Sequence, residues 1–216
     1  MPLLAYCIAE VEEAAGVATT FAEGLQSKDI DGLRVFFSPY EAREIPTAEI
    51  EKRALEFHRQ VKAIFTTMGV IPFRFPTLIE DEAKLQEHIE ENAARYRTGL
   101  KRTQGMVQMD VRVGVTEPEP AQSPASRSGA EYLKEKADSA RKLESAITAV
   151  REAAADVVVE WKRRQEKQGL RGFLLVPRDK VEAFKQRASS ARVGPGLRVM
   201  VSGPWPATEF LEEQNK

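Results

Sequence analysis

The order of apolar patterns in the second half of the chain constrains the fold more than any other feature. Residues 106–115 alternate apolar and polar side chains, which is the period-two pattern of a β-strand with one buried face. Residues 197–202 repeat this pattern, and residues 172–177 form an apolar run typical of a buried strand. Apolar residues at helical spacing predict one helix from about residue 128 and another at 178–188. Strands and helices therefore alternate in this half.

The segment 128–168 allows two interpretations. One continuous helix would contain roughly 40 residues and extend about 60 Å, which suits a coiled coil better than a compact domain. The run Val157-Val158-Val159 and the following Trp161 favour a strand instead, because β-branched and aromatic side chains are enriched in strands. We prefer the second interpretation, with a helix that ends before a strand at about 156–164.

With that strand, the order from residue 106 onward is strand, helix, strand, strand, helix, strand. This is the order of ferredoxin-like domains, in which right-handed crossovers place both helices on one face of the sheet. Residues 116–127 contain three prolines and small polar residues, and they predict a flexible surface loop. The sequence thus predicts an α+β chain in two parts: an N-terminal α+β domain at 1–104 and a ferredoxin-like domain at 105–216.

The N-terminal part carries its own strand and helix patterns. Apolar runs at 3–9 and 33–37 predict two strands, whereas residues 10–32 show no clean period and predict an irregular excursion. A helix is predicted to begin after Thr47, which stands where an N-cap would, and to end at Gly69.

A proline-containing segment and a second helix follow in this part. Residues 70–77 contain two prolines, so they predict an edge strand or a rigid extended crossing, with Phe73 and Phe75 on one side and Arg74 on the other. The acidic residues 80–82 predict a helix start, because carboxylates are favourable near the positive end of the helix dipole. Apolar residues at helical spacing continue that helix to Leu100.

The composition indicates a globular protein of a reducing compartment. Hydrophobic residues make up 42% of the chain and charged residues 30%, and no apolar run approaches the roughly 18 residues that span a bilayer. Cys7 is the single cysteine and has no internal disulfide partner. The net charge of −1 gives no general attraction to nucleic acid or to anionic lipid. We therefore expect a cytoplasmic protein that binds neither nucleic acid nor membrane.

The sequence offers no recognisable catalytic or cofactor motif. It lacks a phosphate-binding loop, a dinucleotide fingerprint, a Cys-x-x-Cys pair and a nucleophile elbow. A packed structural role is the expected one for His58, and His88 has only Glu91 and Asn92 nearby, which is not a convincing metal ligand set. The sequence therefore predicts a protein that is not an enzyme and holds no cofactor or metal.

A rigid segment follows the last predicted strand. In Gly203-Pro204-Trp205-Pro206, each proline fixes its own φ, and Pro206 also favours an extended Trp205. A large indole is thereby held in one orientation just beyond the strand. Because aromatic side chains of this size are mostly packing elements, we expect Trp205 to act as a plug over the core.

This segment, continued to Phe210, is similar to the C-terminal signature of the gas vesicle protein F/L family. Three more segments resemble that family in order and spacing: 71–77, 129–133 and 173–184. Pro76 stands where the family has glycine, so the local turn is expected to differ. The residues at matching positions, as structural or partner-contact residues, are His58, Pro72, Arg74, Phe75, Thr77, Tyr132, Leu133, Gly203, Pro204, Trp205, Pro206 and Phe210.

The resemblance implies both fold and function. Members of the family have a modified ferredoxin fold in the C-terminal domain and are accessory proteins that assemble gas vesicles, the gas-filled protein shells that give cells buoyancy. The implied partners are the small hydrophobic shell protein and other gas vesicle accessory proteins, and the implied location is cytoplasmic and gas vesicle associated. Apolar edges at 70–77 and the loop 116–127 are the surfaces that we expect to contact the shell protein.

Two other functions fit the residues alone. The first is a ferredoxin-like regulatory module that binds a small ligand, which ligand-induced thermal stabilisation would reveal. The second is an enzyme with polar groups converging around His58 and Arg74, which loss of turnover on His58→Ala would reveal.

Overall fold

The computed structural model describes residues 1–14, 24–42, 44–115, 129–166 and 169–211. Contacts divide the chain into two compact units, Met1–Gly105 with Trp205–Lys216 and Met106–Pro204. Each unit combines helices with its own antiparallel sheet, which confirms the predicted α+β class. Independent folding of residues 1–104 and 105–216 as domains stays a prediction. The predicted loop at 116–127 lies outside the described residues.

The first unit is built on a five-stranded sheet. Its strands are β1 (Leu3–Glu10), β2 (Gln26–Ile30), β3 (Leu33–Pro39), β4 (Ile71–Pro72) and β5 (Leu78–Ile79). The spatial order is β2-β3-β1-β4, and β5 also pairs with β1. Residues 3–9 are all buried, so both faces of the central strand β1 are covered. This explains why β1 is a continuous apolar run and not an alternating one.

The prediction that residues 10–32 are irregular was wrong for the part of this range that the structure describes, 10–14 and 24–32. Val11–Ala14 form a short helix, α1, and β2 pairs antiparallel with β3 through a two-residue turn at Asp31 and Gly32. Both turn residues have positive φ, 48° and 76°, as the favoured hairpin turns require. The dipeptide Asp-Gly was the available sequence signal. The strand itself gave none, because the edge strand β2 exposes most of its side chains.

Two long helices complete the first unit. They are α2 (Ile50–Thr67), which follows a 3-10 turn at Thr47–Glu49, and α3 (Glu82–Arg102). Thr47 was wrongly predicted as an N-cap, because it lies inside the 3-10 turn and α2 starts without a side-chain cap. At α3, Asp81 is the N-cap, and its carboxylate accepts a hydrogen bond from the Lys84 backbone N–H at 2.8 Å.

The helices bury different side chains of the first unit. The core on the α3 side contains residues of α3 and of the sheet: Leu3, Ile8, Ile30, Leu33, Val35, Phe37, Ile71, Leu85, Ile89, Ala93 and Leu100. On α2 the buried residues are Phe57, Val61, Ile64 and Phe65, and the Phe57 ring stacks on that of Tyr6 with centroids 5.2 Å apart.

The side-chain directions predicted for residues 70–77 were partly wrong. β4 is an edge strand, as expected, but it contains only Ile71–Pro72. Phe73 packs toward α3, with its ring 6.4 Å from that of Tyr96, whereas Phe75 meets Phe57 of α2 at 5.3 Å. The strict alternation of side chains holds only within a regular strand, and both phenylalanines lie beyond the end of β4.

The second unit has the arrangement of a ferredoxin-like domain. Its elements are β6 (Met106–Val115), α4 (Gly129–Ala153), β7 (Glu160–Glu166), β8 (Gly169–Pro177), α5 (Val181–Ser190) and β9 (Leu197–Trp205). The sheet order is β7-β8-β6-β9, with β8 antiparallel to both of its neighbours. Since α4 ends at Ala153 and β7 begins at Glu160, the helix-plus-strand interpretation of 128–168 is confirmed.

The helical face predicted for α4 is only partly buried. The buried residues on this helix begin at Leu143 and continue through Ala146, Ile147 and Val150. In the first half of the helix, Leu133 is 65% exposed, and Ala137 and Ala140 are also exposed. The buried face predicted from apolar spacing is therefore about three helical turns longer than the one observed.

The polar positions of β6 also differ from the prediction. The alternation placed Gln108 and Asp110 on the side opposite to the buried valines, and both are nevertheless buried. Their side chains contact each other, and that of Asp110 contacts the Arg171 guanidinium of β8, which pairs them on that face of the sheet.

Candidate functional site

The last strand ends in a backbone geometry that only glycine fits. Gly203 has φ +119°, and a Cβ atom there would lie 2.9 Å from the Gln108 carbonyl oxygen and 3.0 Å from Met109 Sδ. Any side chain would therefore clash with β6 as well as strain the backbone. The Gly203-Pro204 peptide bond is cis, as is Phe75-Pro76. Gly203 and Pro204 thus fix the direction in which the chain leaves β9.

The chain then places Trp205 beside His58. The indole is half-buried, and its centroid lies 5.7 Å from that of the His58 ring on α2; this histidine is exposed and not packed in the core, contrary to expectation. Pro206 is also half-buried, whereas Phe210 is fully buried. Phe210 is therefore the fully buried aromatic residue of this segment, and the role of Trp205 as a plug stays a prediction.

The 70–77 segment contacts the same helix. Phe75 packs against Phe57, the residue before His58, and the Thr77 hydroxyl donates a hydrogen bond to the Arg74 carbonyl oxygen. Arg74 itself is exposed, and Pro72 lies half-buried in β4. Three motifs that are distant in sequence, around positions 58, 75 and 205, therefore meet at α2 in the first unit.

An exposed leucine extends this region along α2. Leu55 is 60% exposed and precedes His58 by three residues, so the two side chains are neighbours on one helix face. We call Leu55, His58 and Trp205 the α2 surface. Sequence reasoning missed Leu55; its position outside the stripe of Phe57, Val61 and Ile64 was the available signal.

The remaining motif does not join the α2 surface. Tyr132 and Leu133 lie in the second unit, in the first turns of α4, and are 57% and 65% exposed. Both side chains are large and mostly exposed to solvent, so they are accessible for contact with another molecule.

The sequence also gave no sign that Asp110 of β6 is buried and paired with Arg171 of β8. The Asp110 carboxylate accepts hydrogen bonds from the Gln108 amide at 2.9 Å and from the Arg171 guanidinium. The guanidinium groups of Arg171 and Arg164 lie 4.6 and 5.1 Å from the Phe173 ring centroid. These contacts give the buried Asp110 carboxylate hydrogen-bond partners within the second unit, so its role is structural.

Two side chains of chemically reactive types, His88 and Cys7, are not part of the α2 surface. His88 Nε2 lies 3.0 Å from the Tyr96 hydroxyl, and partial burial raises the pKa of that tyrosine. Burial also raises the pKa of the Cys7 thiol, which makes it a poor nucleophile. In the described ranges, no group of three or more His, Cys, Asp or Glu side chains is placed to hold a metal ion. Of the three side chains of the α2 surface, the Trp205 indole is of the aromatic type that is enriched at protein interfaces.

No helix in the described part of the chain has both the length and the apolar character needed to cross a membrane.

Comparisons with known proteins agree with the fold. A family model described as "Gas vesicle synthesis protein GvpL/GvpF" matches residues 2–212. The crystal structure of the gas vesicle protein GvpF from Anabaena sp. PCC7120 is similar with a TM-score of 0.77 at 16% identity, covering 99% of this chain and 97% of that chain. That of GvpF from Microcystis aeruginosa gives 0.76 at 14% identity, with 98% and 99% covered. No curated protein matches the sequence.

Proposed function

The chain belongs to the GvpL/GvpF family of gas vesicle synthesis proteins, and from this premise we propose that it is a non-enzymatic accessory protein of gas vesicle assembly. It binds the small hydrophobic shell protein during nucleation or early shell formation, together with other gas vesicle accessory proteins. It acts in the cytoplasm and in association with the growing vesicle. The family match over residues 2–212 is the observation that carries this proposal.

The physical need for such a protein follows from the shell itself. A shell subunit that will face gas must expose a large apolar surface before it polymerises, and such surfaces aggregate unless another protein covers them. An accessory protein that binds this subunit reversibly would keep it available for ordered growth.

The α2 surface is better suited to this contact than the 70–77 segment. Val70 and Ile71 are buried, and Phe73 and Phe75 pack inside the first unit. Substituting these residues would disturb the fold, so they are poor probes of binding. Leu55 is instead exposed, and it is followed on the same helix face by His58. Small exposed apolar and aromatic groups with a polar surround are typical of interface centres.

Co-expression with the shell protein tests the proposal. The tagged chain is expected to co-purify with the shell protein and to reduce its aggregation, followed by light scattering. Leu55→Lys places a charge on the α2 surface and is expected to weaken co-purification at least about tenfold. Ala63→Lys is the matched control, because Ala63 is exposed on the same helix but lies about 12 Å further along its axis than Leu55 and is not part of the α2 surface.

The outcomes separate the parts of the proposal. Absence of co-purification with any gas vesicle protein would contradict an assembly role through binding. If the Leu55→Lys and Ala63→Lys variants bind the shell protein equally well, the shell protein remains the partner but does not bind at the α2 surface. Thermal stabilisation by a metabolite, without binding to the shell protein, would favour a small-ligand module instead.

A further inference from the structure

The edges of the two sheets differ in how they are protected against pairing. Natural proteins protect an edge strand with charges, with proline or with a very short strand, because its free backbone groups can pair with another chain. In the first unit, β2 carries Lys28 and Asp29, and β4 is two residues long with a proline. In the second unit, the edge strand β7 reads Glu-Trp-Lys-Arg-Arg-Gln-Glu.

Strand β9 lacks this protection along most of its length. It is the other edge of the second sheet, and among the described strands β6 is its one neighbour. The strand has nine residues and a single charged residue, Arg198. Met200, at its middle, is 45% exposed, and the half-buried Leu197, Val199 and Val201 alternate with exposed neighbours. A long, apolar and accessible edge of this kind is suited to adding a strand.

The ends of this edge define the register of such a pairing. Gly196 has φ +76° and ends the strand on one side, and Pro204 has no backbone N–H to donate on the other. The usable edge is therefore 197–203, and Met200 is its centre. Two copies paired antiparallel about a twofold axis through Met200 would use the whole edge in both copies.

In that register, the side chains of two copies are complementary. Val199 faces Val201 of the other copy, Arg198 faces Ser202, Met200 faces Met200 and Leu197 faces Gly203, so the central apolar residues meet apolar ones and the two arginines stay apart. Residues directly opposite in an antiparallel pair lie on the same face of the sheet, and this register preserves the observed alternation of exposed and half-buried positions. Centring the pair on Val199 would instead place Arg198 opposite Met200.

We propose that the free edge of β9 binds the same edge of a second copy of this chain, forming a symmetric dimer with a continuous eight-stranded sheet. The charges on β7 prevent growth from the other edge, so the assembly closes at two copies. This proposal does not depend on binding to the shell protein.

Charge substitutions at the twofold axis test it. Met200→Lys and Met200→Glu each place like charges opposite each other, so each variant alone is expected to raise the dimer dissociation constant at least about tenfold, measured by analytical ultracentrifugation of the full chain. A mixture of the two variants places lysine opposite glutamate and is expected to restore the dimer. Val159→Lys is the matched control, because Val159 is a 60% exposed apolar residue just before β7; this variant should dimerise as the wild type does.

Restoration in the mixture would also show that both variants are folded, which circular dichroism of each one checks independently. A wild-type chain that is monomeric at every concentration, or single variants that dimerise normally, would overturn the proposal. A dimer that Met200→Lys disrupts but that the mixture does not restore would overturn the register centred on Met200. If the wild type is monomeric and Met200→Lys abolishes binding to the shell protein, the edge of β9 binds the shell protein and not a second copy.

Discussion

At the scale of single residues, the segment after β9 shows what a motif does and does not specify. The rigid placement of Trp205 follows from its flanking prolines, and the need for Gly203 follows from its φ and from its approach to β6. Which aromatic residue is buried does not follow from the motif. Burial depends on the neighbours that the rest of the chain supplies, and the fold buries Phe210 completely and Trp205 by half.

The two aromatic residues should therefore differ in their effect on stability. Phe210→Ala is expected to lower the free energy of unfolding by about 3–5 kcal/mol, because it removes a fully buried ring and leaves a cavity. Trp205→Ala is expected to cost less than Phe210→Ala, because part of the indole already contacts solvent. Urea unfolding of both variants measures the difference. A Trp205→Ala variant as unstable as Phe210→Ala would support the plug interpretation.

Cys7 gives a second prediction at this scale. Its thiol is fully buried in β1, and burial raises its pKa, so the reactive thiolate is negligible at pH 8.5 in the folded protein. A free cysteine in an unfolded chain is about half ionised at this pH. Labelling with a thiol reagent is expected to be at least about a thousandfold slower in native buffer than in denaturant. Native labelling within tenfold of the denatured rate would contradict this burial, and a Cys7→Ala variant gives the background.

Residue patterns failed where a polar group is buried. The alternation in β6 correctly identified Val107, Met109, Val111 and Val113 as one buried face. It could not show that Asp110 on the other face is buried too, because the partner that makes this possible, Arg171, lies on β8 at a distance of 61 residues in sequence. Local periodicity contains no information on such pairings.

At the scale of elements, most strands and helices of the described chain follow from apolar periodicity and turn chemistry. The helix α3 and the strands β1, β3, β6, β8 and β9 were all predicted within a few residues. The strand β2 was missed, because it is an exposed edge strand with polar side chains. The extent of burial along α4 was overestimated, because a periodic stripe shows which face can be buried and not how far the sheet beneath it extends.

Two leucines on α4 test this difference within one helix. Leu143 is 8% exposed and Leu133 is 65% exposed. Leu143→Ala is expected to lower the free energy of unfolding by about 2–4 kcal/mol through cavity formation, and Leu133→Ala to change it by less than about 0.5 kcal/mol. Thermal and urea unfolding measure both variants. If Leu133→Ala proved as destabilising as Leu143→Ala, the first half of α4 would have a buried partner.

At the scale of the whole molecule, the sequence resemblance and the fold lead to the same family, while the division of the chain depends on long-range contacts. Sequence patterns place everything after residue 104 in one ferredoxin-like domain. Contacts instead group the chain from Trp205 onward with Met1–Gly105. Leu211 packs against the core of the first unit, and a Cβ at Gly99 of α3 would lie 3.2 Å from its side chain. Apolar periodicity within the last ten residues could not indicate that the chain packs on the first unit again.

Hydrogen exchange of two matched variants distinguishes these divisions. Phe184 of α5 and Phe210 are both fully buried, and each change to alanine is expected to cost about 3–5 kcal/mol. If the contact-defined units open separately, Phe184→Ala will accelerate amide exchange in 106–204 alone, and Phe210→Ala will accelerate it in 1–105 and from 205 onward but not in 106–204, measured by mass spectrometry of native protein. With a domain at 105–216, Phe210→Ala would instead accelerate exchange in the second half. Acceleration along the whole chain in both variants would show one cooperative unit and reject either division.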